Sequence, residues 1–118
     1  QNVEYETISS KKKEESSAAI RERVNKAREI QNKRFAGTGI SCNANMTAAA
    51  TREYCTMTDD ANMLMKNSFE RLGMSGRAYD KVLRVARTIA DLAGSENIEF
   101  EHIAEALQFR ALDRKYWE

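Results

Sequence analysis

The sequence predicts an all-α protein, a bundle of four to five helices. Three observations carry that prediction. The 118 residues contain no proline and only 5 glycines, so little interrupts helix propagation. Apolar residues recur at three- and four-residue intervals over most of the chain, and runs of period two are scarce. Several stretches also open on Ser or Thr and close on Gly, the residues that cap a helix at its two ends. At this length the chain fits one domain with a real core.

Residues 1–13, QNVEYETISSKKK, are polar. The VEYETI within them reads as the frayed end of a strand that has no hairpin partner here, so the segment is expected to be unstructured. The helical domain is expected to occupy 14–118. Its first helix, in ESSAAIRERVNKAREIQNKRF, is predicted to begin with Ser16 or Ser17 as N-cap. Ile20, Val24, Ala27, Gln31 and Phe35 form its inner line, and the glycines of AGTGIS end it.

NANMTAAATREYC predicts a shorter helix with Met46, Ala49, Ala50 and Tyr54 on one side. Thr58 followed by Asp59 and Asp60 marks the next start, because the hydroxyl accepts a backbone N–H and acids suit the positive end of the dipole. That helix is expected to bury Ala61, Leu64, Met65, Phe69 and Leu72, with Gly73 as its stop. Ser75 caps the following one, whose apolar face is Tyr79, Val82, Leu83, Ala86, Ile89, Ala90 and Ala93, with Gly94 as the stop. A last helix over about 100–112 offers Ile103, Ala104, Leu107 and Ala111. The aromatic end RKYW is expected to fold back on the bundle or to meet a partner.

Bulk properties exclude more than they assign. Hydrophobic residues make up 42% and charged residues 31%, and the net charge of +1 gives no strong global field toward nucleic acid. The charge is uneven, at +3 over 1–58 and −2 over 59–118. No apolar run is long enough to span a bilayer and no signal peptide is recognisable, so a cytoplasmic chain with no membrane partner is expected. Cys42 and Cys55, without a CxxC pattern and with a single histidine elsewhere, predict neither a zinc site nor a disulfide. They are expected to behave as small apolar groups, and the five methionines as core filler. No phosphate loop, dinucleotide fingerprint or metal-ligand spacing is found. His102, among Glu99, Glu101 and Glu105, reads as a surface or boundary residue rather than a catalyst.

The arginines of MSGRAYDKVLRVARTIADLAG separate into two kinds. Arg87 with Asp91, and Arg84 with Asp80, are i,i+4 pairs of the sort worth a few tenths of a kcal/mol at a surface. Arg77 has no such partner and stands two residues after the cap, where the dipole disfavours a cation. A solvated surface tolerates it there. It gains a use if an anion is met at that helix start, because a guanidinium binds phosphate oxygens in pairs.

SGRAYDKVLRVARTIADLAG and IEFEHIAEALQFRALDRKYW, with ESSAAIRERVNKAREIQNKRF, NANM and the later YC, resemble the C-terminal domain of the magnesium-chelatase-like AAA+ ATPases, the ComM/YifB group. The resemblance covers nearly all of 3–117. It implies a helical lid following a nucleotide-binding core, with the chain starting at about the last strand of that core. The phosphate loop, the metal-holding acids and the arginine finger would then lie upstream. ATP and Mg²⁺ would be cofactors of the parent protein only, and ATPase activity a property of the parent rather than of this fragment. It further implies that Arg77 is the second-sensor arginine, placed by its cap Ser75, though Gly76 loosens the first turn. Partners would be the core of the same chain and neighbouring subunits of a hexamer, and the relatives are implicated in DNA branch migration during natural transformation. Two other readings stay open. Arg21, Arg23, Lys26, Arg28, Lys33 and Arg34 on the helix at 20–35 are a possible nucleic-acid face, weighed against a solvated face with pairs such as Glu22–Lys26. A protein-interaction bundle is the other.

Overall fold

A computed structural model describes the backbone over residues 2–112 and the side chains from 17 to 112. Among these residues it is all-α, with helices α1 (Asn2–Arg34), α2 (Ala48–Tyr54), α3 (Asp59–Leu72), α4 (Gly76–Leu92) and α5 (Phe100–Leu112) and a 3₁₀ turn at Asn43–Asn45. The first helix departs from expectation. Where a strand end and an unstructured segment were anticipated over 1–13, the backbone is helical from Asn2, and Ser16 and Ser17 lie inside the helix rather than capping it. No proline or glycine precedes Gly37, so nothing in the residues obliges the helix to start late. The RKYW end lies outside the described residues.

Threonine and serine hydroxyls start the next three helices. Thr47 accepts from the Ala50 N–H at 3.1 Å, Thr58 from Ala61 at 3.3 Å and Ser75 from Ala78 at 3.1 Å. Met46 and Thr47 are extended, so the single helix expected over 43–55 becomes a 3₁₀ turn followed by α2. At the end of α4, Gly94 takes a left-handed φ of 72°. The Ser95 N–H then reaches the Ala90 carbonyl at 2.8 Å and the Gly94 N–H the Asp91 carbonyl at 3.0 Å, the paired bonds of a Schellman turn.

Helix α4 is the central element, with α1, the 3₁₀ turn, α2 and α5 packed on it, while α3 packs on α5. Val82, Leu83, Ala86 and Ala90 of α4 meet Met65 of α3 and Ile103 and Ala106 of α5 in one core. Ile98, also fully buried, plugs it from the loop before α5. That loop is held by a single parallel bridge: the Ile98 N–H donates to Thr56 O at 2.8 Å and the Thr58 N–H to Ile98 O at 3.0 Å. Each of the larger side chains among these, Val82, Leu83, Met65, Ile98 and Ile103, contributes roughly 1.5–3 kcal/mol by leaving water.

The buried faces are rotated slightly from those expected. Ala49, Phe69, Leu72, Ala93 and Ala111 are exposed, and Thr51, Ser68, Arg87, Asp91 and Arg110 turn inward instead. The hydrophobic pattern places a stripe, but small and polar residues at its edges are assigned by their neighbours in space.

Candidate functional site

Arg77 occupies the second position of α4, exposed, one residue after Gly76 and two after the cap Ser75. Because Ser75 accepts the N–H of Ala78, the backbone N–H groups of Gly76 and Arg77 are the ones left facing outward from this helix end. Among the described residues the Arg77 side chain has no ion pair and no side-chain hydrogen bond. Immediately behind it Met74 and Ala78 are buried, and Tyr79 stands edge-on to Phe69 with ring centres 5.5 Å apart. Among the described residues the guanidinium is thus exposed and unpaired, while Met74 and Ala78, which flank it in sequence, are anchored in the core.

Of the six basic residues expected on a nucleic-acid face, five are exposed and one is not. Arg21, Arg23, Lys26, Arg28 and Lys33 face solvent. They do not form one positive surface. Glu22, Lys26, Glu29 and Lys33 share a line of alternating sign, in which Lys26 lies 3.6 Å from Glu22. Arg21 and Arg28 share a second line, and Arg23 lies on the opposite flank. Arg34 is withdrawn from the proposed face altogether, because its guanidinium turns inward, with only 13% of the side chain exposed, to meet Asp91.

This inward turn belongs to a polar knot that sequence reasoning saw only in part. Arg34 donates to both carboxylate oxygens of Asp91, Nη1 to Oδ2 at 2.8 Å and Nη2 to Oδ1 at 2.7 Å. Asn43 in the 3₁₀ turn donates through Nδ2 to Asp91 Oδ2 at 2.8 Å and to Thr88 Oγ1 at 3.1 Å, and accepts from Arg34 Nη1 at 2.9 Å. Arg87 donates from Nε to Asp91 Oδ1 at 3.1 Å, then caps the carbonyls of Ser95 at 2.7 Å and Glu96 at 2.9 Å. The Arg87–Asp91 spacing was legible as an i,i+4 pair, but its valuation as a surface pair is corrected: the side chains are 2% and 0% exposed. Burial pulls the Arg87 guanidinium below its ordinary value, and Asp91 opposes that shift. One carboxylate thus joins α1, the 3₁₀ turn and α4, and through Arg87 the turn that follows α4. Among the described residues Arg84 and Asp80 form no corresponding ion pair.

At the start of α5, His102 is buried rather than at the surface. Its Nδ1 accepts the Glu99 backbone N–H at 2.9 Å, the reach-back that Glu or Gln makes in a capping box. Glu99, Glu101 and His102 bring ligand atoms within 4.8 Å of one another. The His102 nitrogen nearest that backbone is already engaged, so the group is accounted for as a helix start. Cys55 is buried and Cys42 half-buried, as free thiols. Burial pushes the Cys55 thiol up to about 11. Met46, Met65 and Met74 fill the core as expected, whereas Met63 is 65% exposed. Among the described residues no helix is long and apolar enough to cross a membrane.

Comparison with known proteins agrees with the resemblance in the motifs. The chain is 42% identical over 100 residues to the competence protein ComM of Haemophilus influenzae, covering 85% of this chain and 19% of that protein. It is 39% identical over 100 residues to the uncharacterized protein YifB of Escherichia coli, with the same coverage. It is 33% identical over 96 residues to the uncharacterized protein Mb2921c of Mycobacterium bovis, covering 81% of this chain and 19% of that one. The chain thus spans about a fifth of the length of these relatives. Residues 14–110 match the family described as magnesium chelatase, subunit ChlI C-terminal, and the chain belongs to that family.

Proposed function

We propose that this helical domain is the lid of an AAA+ ATPase and that Arg77 is its nucleotide-sensing residue. The observation that carries the reading is the state of Arg77: an exposed cation, unpaired among the described residues, in the first turn of the best-buried helix. A cation at the positive end of a helix is mildly unfavourable by itself. An anion such as a terminal phosphate removes the penalty, since the guanidinium and the two outward N–H groups then point at negative charge. The knot at Asp91 locks α4 to α1, so a pull on Arg77 moves both helices together rather than bending one.

Among the described residues this reading uses Arg77 and the helix start that carries it. That suits a residue that senses nucleotide held by another domain and does not amount to a complete ATP site. ATP and Mg²⁺ belong to the parent protein in this reading, and the domain's partners are the ATPase core and neighbouring subunits of a hexamer in the cytoplasm. One relative carries the name competence protein ComM, and a parent that works on DNA, as the family resemblance implies, is part of this proposal. Direct DNA binding by α1 is the weaker alternative, because Arg34 is withdrawn and Glu22 and Glu29 divide the remaining bases. The test is ATP hydrolysis by the full-length parent, wild type against Arg77→Ala, with folding followed by circular dichroism. A large fall in turnover with helicity intact is expected; unchanged turnover overturns the assignment.

A further inference from the structure

At the end of α4 remote from Arg77, roughly 22 Å along the helix, lies a groove with no role in nucleotide sensing. Helices α1 and α5 both lean on α4, and the valley between them is floored by Ile89, Leu92 and Ala93. Ile20 and Arg23 of α1 form one wall, and Glu101, Glu105 and Phe109 of α5 the other, enclosing about 500 Å³. Ile20 and Phe109 are each 48% exposed, so apolar surface runs from the floor up both walls. The apolar side chains of the floor and of both walls thus adjoin one another, with charged side chains at the rim.

The rim narrows the choice of occupant. Among the described residues, Glu101 and Glu105 stand on one side, with Glu99 beyond them, against Arg23 on the other. The α5 wall from Glu101 to Phe109 extends about 12 Å, or two helical turns. The floor residues Ile89, Leu92 and Ala93 follow the spacing of a ridge that interdigitates with another helix. We propose that this groove docks an amphipathic α-helix from a partner, its apolar stripe seated on Ile89 and Leu92 and a basic edge facing Glu101 and Glu105. Burial of the stripe supplies the affinity, and the acidic wall sets the orientation and the choice of partner.

The experiment uses two dye-labelled synthetic helices of about 18 residues with the same leucine stripe, one with lysine edges and one with glutamate edges. Binding to the chain is read by fluorescence anisotropy. Saturable binding of the lysine helix is expected, with the glutamate helix weaker by about tenfold or more. The double variant Glu101→Lys/Glu105→Lys reverses that preference. Leu92→Asp, at a half-exposed position, abolishes binding while circular dichroism stays unchanged, and Phe109→Ala weakens it. Equal binding of the two helices, indifference to the charge reversal, or binding that survives Leu92→Asp overturns the proposal. Self-association of the chain that competes with the peptide also overturns it, by assigning the groove to a second copy.

Discussion

Arg34 and Asp91, 57 positions apart, face each other as a two-pronged ion pair, with N–O distances of 2.8 and 2.7 Å. Asp91 also takes a bond from Arg87 and one from Asn43, so the carboxylate carries two cations and an amide in a nearly dry site. Removing one partner from such a site costs more than the pair is worth, because the other charge stays buried. Asp91→Ala, which strands Arg87, is expected to destabilise by about 3–5 kcal/mol. Arg34→Ala, whose side chain is partly exposed, should cost less because Arg87 still neutralises the carboxylate. Urea denaturation of the two single variants and the double checks this. The coupling energy should be well above the few tenths of a kcal/mol typical of surface pairs.

Cys55 makes the stability depend on alkaline pH. Its folded value of about 11 lies above the ordinary 9.0, so below pH 9 both states hold the proton and nothing changes. Between pH 9 and 11 the unfolded chain loses that proton while the folded one keeps it, and stability falls by about 2 to 3 kcal/mol. Denaturation at pH 8.5 and pH 10.5 should show a smaller loss in Cys55→Ala than in wild type. An equal loss in the two proteins would remove Cys55 as its source.

Gly76 is the first residue of α4 and lacks a positive φ, and a Cβ built there meets nothing within 4 Å. Gly76→Ala is expected to stabilise the fold by about 0.4–1 kcal/mol, chiefly by restricting the unfolded chain. A thermal melt reads this as a small rise in midpoint. In the full-length parent the same change keeps Arg77 in place and should leave ATP turnover near wild type, in contrast to Arg77→Ala.

His102 ties the start of α5 to its own side chain. His102→Ala removes the acceptor for the Glu99 N–H as well as buried ring surface, and is expected to cost about 1–3 kcal/mol. His102→Gln, which can reach back in the same way, should recover part of that loss. If Ala and Gln prove equally destabilising, the cap contributes nothing and only packing matters.

The contrast between Ser75 and Ser16 shows where local reading works. Ser75 follows a glycine stop and precedes an apolar period, and it caps α4 as expected. Ser16 precedes an equally good period, yet no helix breaker stands before it and α1 runs through it. Arg77 was singled out by its position, because a helix start and the absence of an i,i+4 partner are properties of neighbouring residues, while its sensing role was implied only by the family resemblance. Arg34 was read as one of six like charges on the helix expected at 20–35, because its partner lies 57 residues away and nothing local announces it.

The residues by themselves determined the all-α class, the ends of α3 and α4, and the family, since helical period, capping chemistry and motif all act within a few positions along the chain. Tertiary structure alone decided which charges are buried, that Asp91 joins α1 to α4, that His102 is a cap, and that α1 and α5 leave an apolar groove between them. Those outcomes depend on the desolvation of polar groups and on helix faces brought together from distant segments.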